Sequence, residues 1–157
     1  MAADDNGSGI EADDTPPLIV KAQYIKDLSF EIPGAPEIFR RLNAEPEIEV
    51  EINVQPDDLG DGEFEVVLLV EVRATVDDET AFVAELKYAG LFELNSSIPE
   101  EYIGSILLVE CPRILFPFAR NIIASATSES GMPPLMLQPI DFNAIVQAQM
   151  LQGAGTA

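Results

Sequence analysis

Carboxylates and a single thiol are the side chains of this sequence that could carry chemistry. Its 157 residues include 28 Asp or Glu and one Cys but no His. Without His, a metal site, a general base or a catalytic triad built on imidazole is excluded. Any chemistry would therefore rest on the acids or on the thiol.

Paired acids such as Glu100 and Glu101 are of the residue type used in glycoside hydrolysis. Among so many acids some adjacent pairs occur by chance, and nothing in the surrounding sequence distinguishes this pair. We therefore interpret the carboxylates as a solvated acidic surface. A carboxylate-based hydrolase is the least favoured of the functions considered.

The acidic segment from Asp57 to Glu63 resembles the start of a calcium-binding loop, because Asp and Gly recur there at short intervals. Leu59 and Leu68, however, occupy the third and twelfth positions of such a loop, where oxygen ligands are required. The segment is therefore expected to be a turn and not a metal site.

Cys111 precedes Pro112 in an apolar stretch, and the sequence offers no His to activate its thiol. A buried, unreactive thiol is therefore expected in place of a nucleophile. A lone cysteine also forms no internal disulfide. The sequence predicts a protein that is not an enzyme, with no catalytic residue, no metal and no cofactor.

The charge of the chain is strongly negative and unevenly distributed. Only 8 Lys or Arg offset the acids, which gives a formal net charge of -20 and a pI near 4.1. Binding to a nucleic acid is excluded, because it requires a surplus of cations. The excess of acids lies in residues 1–110, whereas residues 111–157 carry 2 acids and 2 bases.

The 47% hydrophobic content supports a packed core and one domain of ordinary size. We expect this domain at residues 18–151, between a disordered acidic leader at 1–17 and a flexible tail at 152–157. The leader lacks the basic and apolar parts of a signal peptide. No apolar run approaches the roughly 20 residues that span a bilayer, so a soluble protein in a reducing compartment, without membrane insertion, is expected.

Alternating hydrophobicity over the first half of the chain predicts four antiparallel strands connected as a meander. The second strand is the clearest, because every even-numbered residue from Glu47 to Val54 is apolar. The third runs from Phe64 to Val76 and the fourth from Thr80 to Leu94, after acidic connectors at 55–62 and 76–79. The first strand is predicted to carry on one face Leu18, Val20, Ala22, Tyr24, Leu28 and Phe30.

Helical spacing replaces the alternation after residue 96. Ser97 and Glu100 have the spacing of a capping box at the start of a first helix. A longer helix is predicted from Pro112 to Ser128, with Pro117 at its start or at a kink. Its apolar residues cover more than one face, so it should lie between two layers. Asp141 is predicted to cap a last helix, and the fold class is α+β with the strands first.

The apolar stripes exceed what one small domain can cover. Each fully buried Val, Ile, Leu or Phe side chain contributes roughly 1.5 to 3 kcal/mol, so an exposed stripe of four forfeits about 6 to 12 kcal/mol. This loss is comparable with the whole stability of a domain. We therefore expect part of the surface to contact other chains, most simply further copies of this one.

Several segments together resemble the SecB family of bacterial export chaperones. They follow one another in the order of the family over residues 18–150. The most specific is CPRILFPFAR at residues 111–120. The others are KDLSFE at 26–31, APEIF at 35–39, FEVVL at 64–68, ETAF at 79–82 and PPLMLQPIDF at 133–142.

The resemblance implies a four-stranded antiparallel sheet followed by helices, assembled as a dimer of dimers. It implies a cytoplasmic, homotetrameric and ATP-independent holdase that keeps preproteins unfolded and delivers them to the translocation motor SecA. The surplus of apolar surface and the high net charge agree with this role. The alternative is an oligomeric adaptor on the same fold that binds one folded partner and has no chaperone activity.

The resemblance also implies site residues, carried over by matched positions. The acidic surface that faces SecA falls on Asp27 and Glu31 in the first strand and on Val83 and Glu85 in the fourth. An ordinary solvated strand face is the other interpretation of these four positions.

Two further sets of positions match the family. Those whose changes disturb assembly are Phe82, Ala84, Leu86 and Tyr88. Those that line the client groove are Ile48, Val50, Ile52 and Phe142. For both sets, packing within the core of one protomer is the alternative role.

Overall fold

The computed structural model of the chain describes residues 16–42 and 45–154. Nearly all of the predicted leader, residues 1–15, and the end of the predicted tail, residues 155–157, lie outside the described residues. Four long strands precede the helices, as predicted for this α+β fold. The strands are β1 (Leu18–Glu31), β2 (Glu47–Gly60), β3 (Glu63–Val76) and β4 (Glu79–Leu94).

The strands form one antiparallel sheet in the order β1-β4-β3-β2. β2, β3 and β4 follow one another as a meander, but β1 pairs with β4 and not with β2. The predicted meander is therefore wrong for the first strand, because alternation identifies a strand without naming its neighbour. The connection from β1 to β2 contains a 3₁₀ helix at Glu37–Arg40 and leads from one edge of the sheet to the other, as in a Greek key.

The hairpin between β2 and β3 is longer than predicted. Residues 55–60 continue β2, and the turn consists of Asp61 and Gly62. Both have a positive φ, of 55° and 78°, which an Asp-Gly pair adopts readily in a two-residue hairpin turn. A Cβ atom at Gly62 would lie 2.9 Å from the carbonyl oxygen of Leu94, so this close approach requires glycine.

Two bulges decide which residues of β1 share a face. The register with β4 shifts twice between Val20 and Asp27. Because each bulge inserts one unpaired residue, Ala22 and Tyr24 lie on the face opposite to the one predicted. Ile25 lies instead on the face that these two residues were expected to share with Val20.

The two predicted central helices are one continuous helix. α1 (Glu100–Ser105) leads through a π-helical turn at Ile106–Glu110 into α2 (Cys111–Glu129). The π turn ends just before Pro112, and its wider backbone accommodates a proline ring that would crowd an α-helical turn. Pro117 lies inside α2 and does not start it.

The helix ends are built differently from each other. The predicted capping box of α1 is wrong, since Pro99 precedes the helix and no side chain caps it. Ser97 instead donates its N–H to Asn95 Oδ1 at 2.9 Å. The predicted cap of the last helix is confirmed, because Asp141 Oδ1 accepts the N–H of Ala144 at 3.2 Å.

That last helix, α3, spans Phe142–Ala154 and so extends into the segment predicted to be a flexible tail. The continuous helix Glu100–Glu129 has 30 residues and is long and apolar enough to cross a membrane by length and composition alone. The prediction that no apolar run of this length occurs in the chain is therefore wrong. Within the chain this helix packs on β3 and β4, and its apolar face contributes to the core.

One hydrophobic core lies between the sheet and the helices. We call the face of the sheet that carries the even-numbered residues of β2, β3 and β4 the inner face, and the opposite face the outer face. α2 and the segment after it cover the inner face. The largest fully buried side chains of this core include Phe92, Leu68, Leu86, Leu115 and Ile123.

Candidate functional site

The four positions matched to a SecA surface lie together on the outer face. In the register of β1 and β4, Glu31 lies opposite Val83, and Ser29 lies opposite Glu85. Asp27 lies two residues from Ser29 and shares its face. Asp27 and Glu31 are exposed, and Val83 and Glu85 are half-buried. The structure therefore gathers all four into one acidic patch at an edge of the sheet.

A row of acids continues this patch across the sheet. Glu85, Glu71 and Glu51 lie directly opposite one another on β4, β3 and β2. With Glu49 and Arg73 they surround a shallow depression of about 570 Å³ on the outer face. We call Glu51, Glu71 and Glu85 the carboxylate row. Of these three acids only Glu85 was predicted as a site residue, because the row becomes visible once strand order and register are known.

No member of the carboxylate row has an ion-pair partner among the described residues. Like charges directly opposite each other on neighbouring strands destabilise a sheet. The row therefore costs stability in the isolated chain and offers a negative surface to a cationic partner.

At the other end of the outer face the acids are paired with lysines. Lys21 Nζ lies 3.2 Å from Glu93 Oε2 and also contacts Glu63. Lys26 Nζ lies 2.6 Å from Glu65 Oε1. These two lysines offset two of the three acidic charges at that end of the face, so the negative potential is greatest at the carboxylate row and the predicted SecA patch.

Tyr24 reinforces this pairing because the bulges of β1 place it on the outer face. Its hydroxyl donates to Glu65 Oε2. The hydrogen bonds from Lys26 and Tyr24 hold the pKa of the Glu65 carboxyl below its ordinary value. Burial, with the hydrogen bond to Glu65, raises the pKa of Tyr24 to about 12, so the phenol stays a donor.

An open apolar groove runs along β2 on the inner face. Ile48, Val50 and Ile52 form one wall, and residues 135–140 form the other. The space between the walls is about 580 Å³. Ile48 and Val50 are 36% and 43% exposed. The groove is therefore open to solvent, and this wall is accessible to another polypeptide chain.

A second cavity of about 350 Å³ continues the groove past the start of β2, since both cavities are lined by Ile48 and Leu135. Its other walls come from Leu42, Phe82 and Met132. We call the two cavities together the β2 groove. Three of the four predicted groove residues line it: Ile48, Val50 and Ile52.

Phe142, the fourth predicted groove residue, lies apart from them. It is 1% exposed, and its ring packs edge-on against Phe116 with the ring centres 6.1 Å apart. A residue so deeply buried offers no surface to a client in this protomer. Its place in the structure is the core, at the first residue of α3.

The predicted assembly residues are also buried within one protomer. All of them lie on the inner face of β4 and are exposed by at most 7%: Phe82, Ala84, Leu86 and Tyr88. Tyr88 donates its hydroxyl to Gln23 Oε1 at 3.1 Å. Their burial is accounted for by the core, and a role in assembly stays a prediction that would act through the packing of β4.

A strip of exposed apolar side chains lies beside them on the inner face of β1. Val20, Ile25 and Leu28 are 39%, 50% and 39% exposed. Phe118 of α2 is 50% exposed and stacks on Tyr88. We call Val20, Ile25, Leu28 and Phe118 the β1 strip. The bulge that brings Ile25 to this face hid it from the alternation pattern.

The described residues contain no group of three or more side chains that could hold a metal ion. Asp57 and Asp58 lie within β2, at its end, and Asp58 Oδ1 accepts the N–H of Gly60 at 2.9 Å. Cys111 is buried, and burial raises the pKa of its thiol to about 12. The thiol is therefore protonated at neutral pH, as predicted for an unreactive cysteine.

Comparison with known proteins gives a consistent family. A family model described as preprotein translocase subunit SecB matches residues 11–153. A protein-export protein SecB of Paramagnetospirillum magneticum is 50% identical over 139 residues, covering 88% of each chain. Another, of Granulibacter bethesdensis, is 51% identical over 145 residues, covering 87% of this chain and 84% of the relative.

A solved structure shares the fold. It is a SecB-like chaperone of Mycobacterium tuberculosis in complex with a ChAD peptide from an antitoxin. The TM-score is 0.67 at 16% sequence identity, with 79% of this chain and 91% of the other covered. At this identity the likeness concerns the arrangement of the sheet and helices.

Proposed function

This chain belongs to the SecB family and is a chaperone of preprotein export, and we propose that it acts as an ATP-independent holdase. It would bind preproteins before they fold and keep them competent for translocation. The observation that carries this proposal is the β2 groove, which is apolar, long and open to solvent.

The β2 groove suits an unfolded chain better than a compact ligand. Its walls are a strand and a segment without regular secondary structure, so a client in extended conformation can lie along the strand. Apolar walls recognise apolar side chains without selecting a sequence. Weak contacts at several grooves along one client would add through effective concentration, and the net charge of -20 attracts basic stretches of the client.

The sequence agrees with independence of ATP. It contains no Gly-rich loop of the kind that cradles phosphates. Holding a client unfolded needs binding free energy alone, and release can follow from transfer to a partner with a higher affinity.

We further propose that the protein is a homotetramer built as a dimer of dimers. The β1 strip is exposed apolar surface at an edge of the sheet, of the kind that mediates self-association. Phe118, which stacks on Tyr88, extends this surface from the sheet onto α2. A second copy would cover the strip and give α2 the second layer that its composition demands.

For delivery, we propose that the acidic patch of Asp27, Glu31, Val83 and Glu85 binds SecA in the cytoplasm. The patch and the β2 groove lie on opposite faces of the sheet. A client and a partner could therefore be bound at the same time. The unpaired carboxylate row next to the patch favours a partner surface that carries Lys or Arg.

Two measurements test the proposed function. Several unrelated denatured proteins are diluted with and without the protein at near-stoichiometric ratio, and light scattering follows their aggregation. We expect slower aggregation for all of them. An adaptor that binds one folded partner would leave aggregation unchanged. Native mass spectrometry with an unfolded preprotein should show four chains with about one client, whereas a stable monomer that ignores unfolded chains would contradict the proposal.

A further inference from the structure

Thr127 is a fully buried polar residue near the end of α2, with 0% of its surface exposed. Its hydroxyl oxygen lies 3.0 Å from the carbonyl oxygen of Ile123 and 2.9 Å from that of Ala124. The hydroxyl proton is therefore donated within the helix, as is usual for Thr at such a position. The lone pairs of the oxygen remain available for another donor.

The backbone N–H of Leu135 is this second donor. It donates to Thr127 Oγ1 at 2.9 Å, from a residue eight positions further along the chain. The carbonyl oxygen of Thr127 also accepts the N–H of Met132 at 3.2 Å and the hydroxyl of Ser130 at 2.7 Å. One residue thus fastens the chain through both its side chain and its backbone where the helix ends.

The fastened segment is a wall of the β2 groove. Leu135 lines both cavities of the groove and lies where they join. Residues 133–140 have no regular secondary structure, and beyond Leu135 the structure shows no backbone hydrogen bond from residues 136–140 to the rest of the described chain. The contact with Thr127 therefore fixes the start of this wall by hydrogen bonding, while the buried side chain of Leu137 holds its middle by packing in the core.

We propose that the Thr127 hydroxyl is a positioning group for the client groove, which holds Leu135 in place through its backbone N–H. This inference rests on the proposed chaperone function. Thr127 itself touches no client, because it is completely buried. It acts by ordering one wall before a client arrives, so that the client does not bear the cost of ordering it.

Two substitutions at this residue separate positioning from packing. Thr127→Val keeps the shape of the side chain and removes the acceptor, so the Leu135 N–H loses its partner. Thr127→Ser keeps the hydroxyl and removes a buried methyl group, so it lowers stability while retaining the hydrogen bond. Thr127→Val therefore tests the hydrogen bond to Leu135, and Thr127→Ser tests the packing of the methyl group.

The probe is a reduced and carboxamidomethylated protein that cannot refold, labelled for fluorescence anisotropy. We expect Thr127→Val to raise its Kd about 5-fold, the equivalent of one neutral hydrogen bond, and Thr127→Ser to stay within about 2-fold of the unsubstituted protein. Urea unfolding of both variants is measured alongside. Equal affinities for the unsubstituted protein and Thr127→Val, or weak binding by Thr127→Ser alone, would overturn the inference and assign the residue to packing.

Hydrogen exchange gives a test that needs no variant. In the unsubstituted protein the amide of Leu135 should exchange more slowly than that of its neighbour Met136, for which the structure shows no acceptor among the described residues. Equal exchange rates would overturn the inference. If the unsubstituted protein fails to bind the probe, the proposed chaperone function fails; if it binds and Thr127→Val binds equally well, only this inference fails.

Discussion

Glu71 lies directly opposite Glu85 across the β3–β4 pair, with Glu51 opposite Glu71 on its other side. This is the arrangement that a sheet avoids when stability alone decides, since each such pair costs roughly 0.2 to 1 kcal/mol. The acids at the other end of the same face are paired with Lys21 and Lys26. The unpaired row is therefore a local feature, placed beside the patch that we propose for SecA.

Neutralising the middle of the row should stabilise the fold. We expect Glu71→Gln to raise the free energy of unfolding by about 0.5 kcal/mol, and by more at low salt, because it removes two repulsions at once. Urea unfolding at fixed protein concentration measures the effect. Glu65→Gln is the matched control and should lower stability, since Glu65 is paired with Lys26. A destabilising Glu71→Gln would contradict the electrostatic interpretation.

The contribution of Glu65 should depend on pH in a defined direction. Its pKa in the folded state lies below the ordinary value of 4.5 because Lys26 and Tyr24 donate to the carboxylate. The stabilisation is therefore fully present above the unfolded pKa and is lost as the pH falls through the lower, folded value. The difference in unfolding free energy between the unsubstituted protein and Glu65→Gln should be constant near neutral pH and vanish in acid. A difference that grows as the pH falls would contradict it.

A charge in the β2 groove should weaken client binding with little effect on folding. Val50 is 43% exposed in the groove, so Val50→Asp removes an apolar contact and places a carboxylate there. We expect the Kd for an unfolded client to rise at least about 3- to 9-fold, because a client covering the exposed 43% of the Val50 side chain gains roughly 0.6 to 1.3 kcal/mol. Leu59→Asp is the control, because Leu59 is 51% exposed outside the groove. Equal losses in both variants would point to general charge repulsion.

Reversing charges on the outer face should separate delivery from holding. Asp27→Lys combined with Glu85→Lys is expected to weaken SecA binding about 10-fold or more, with the largest effect at low salt, while protection of clients persists. Asp57→Lys combined with Asp58→Lys makes the same change of net charge at the far end of β2 and should leave SecA binding nearly intact. Surface plasmon resonance and an aggregation assay measure the two activities. Equal loss of both in the first variant would indicate misfolding.

The β1 strip should control assembly. Ile25 is 50% exposed on the strip, and Ile25→Asp would place an unpaired charge in the proposed contact between copies. We expect the mass measured by light scattering to fall below that of four chains, with the circular dichroism of the fold retained. Ile19→Asp, on the outer face of the same strand, is the comparison. An unchanged mass for Ile25→Asp would place the subunit contact elsewhere.

Alternation predicted the strands well because it separates the two faces of a sheet, as at Glu47–Val54, whose apolar residues all lie on the inner face. It did not reveal the strand order, since the pairing of β1 with β4 depends on a crossover that leaves no periodic trace. It also failed inside β1, where two bulges reverse the faces of Ala22 and Tyr24. Likewise, Pro112 and Pro117 suggested helix ends where the structure accommodates both rings in one helix.

For the site, the roles of the matched positions stay predictions, and the structure shows only where these positions lie: three of them along the β2 groove and four together on the outer face. Phe142 was predicted to line the groove, although it is buried against Phe116. In the sequence, an apolar residue of an amphipathic helix looks the same whether it lines a groove or packs in the core. The carboxylate row and the contact from Thr127 to Leu135 depend on register and tertiary packing. No local pattern of residues records either of them.

The exposed edge of β2 creates a risk of aggregation for a protein that binds extended, aggregation-prone polypeptides. An open strand edge invites stacking into amyloid-like fibres. Here that edge carries Glu47, Glu49 and Glu51, and Pro56 removes one of its donors. A strand that paired with this edge would face the glutamate side chains and would lack one backbone hydrogen bond at Pro56. The edge of the sheet is therefore a poor template for fibres of the unfolded chains that the protein binds.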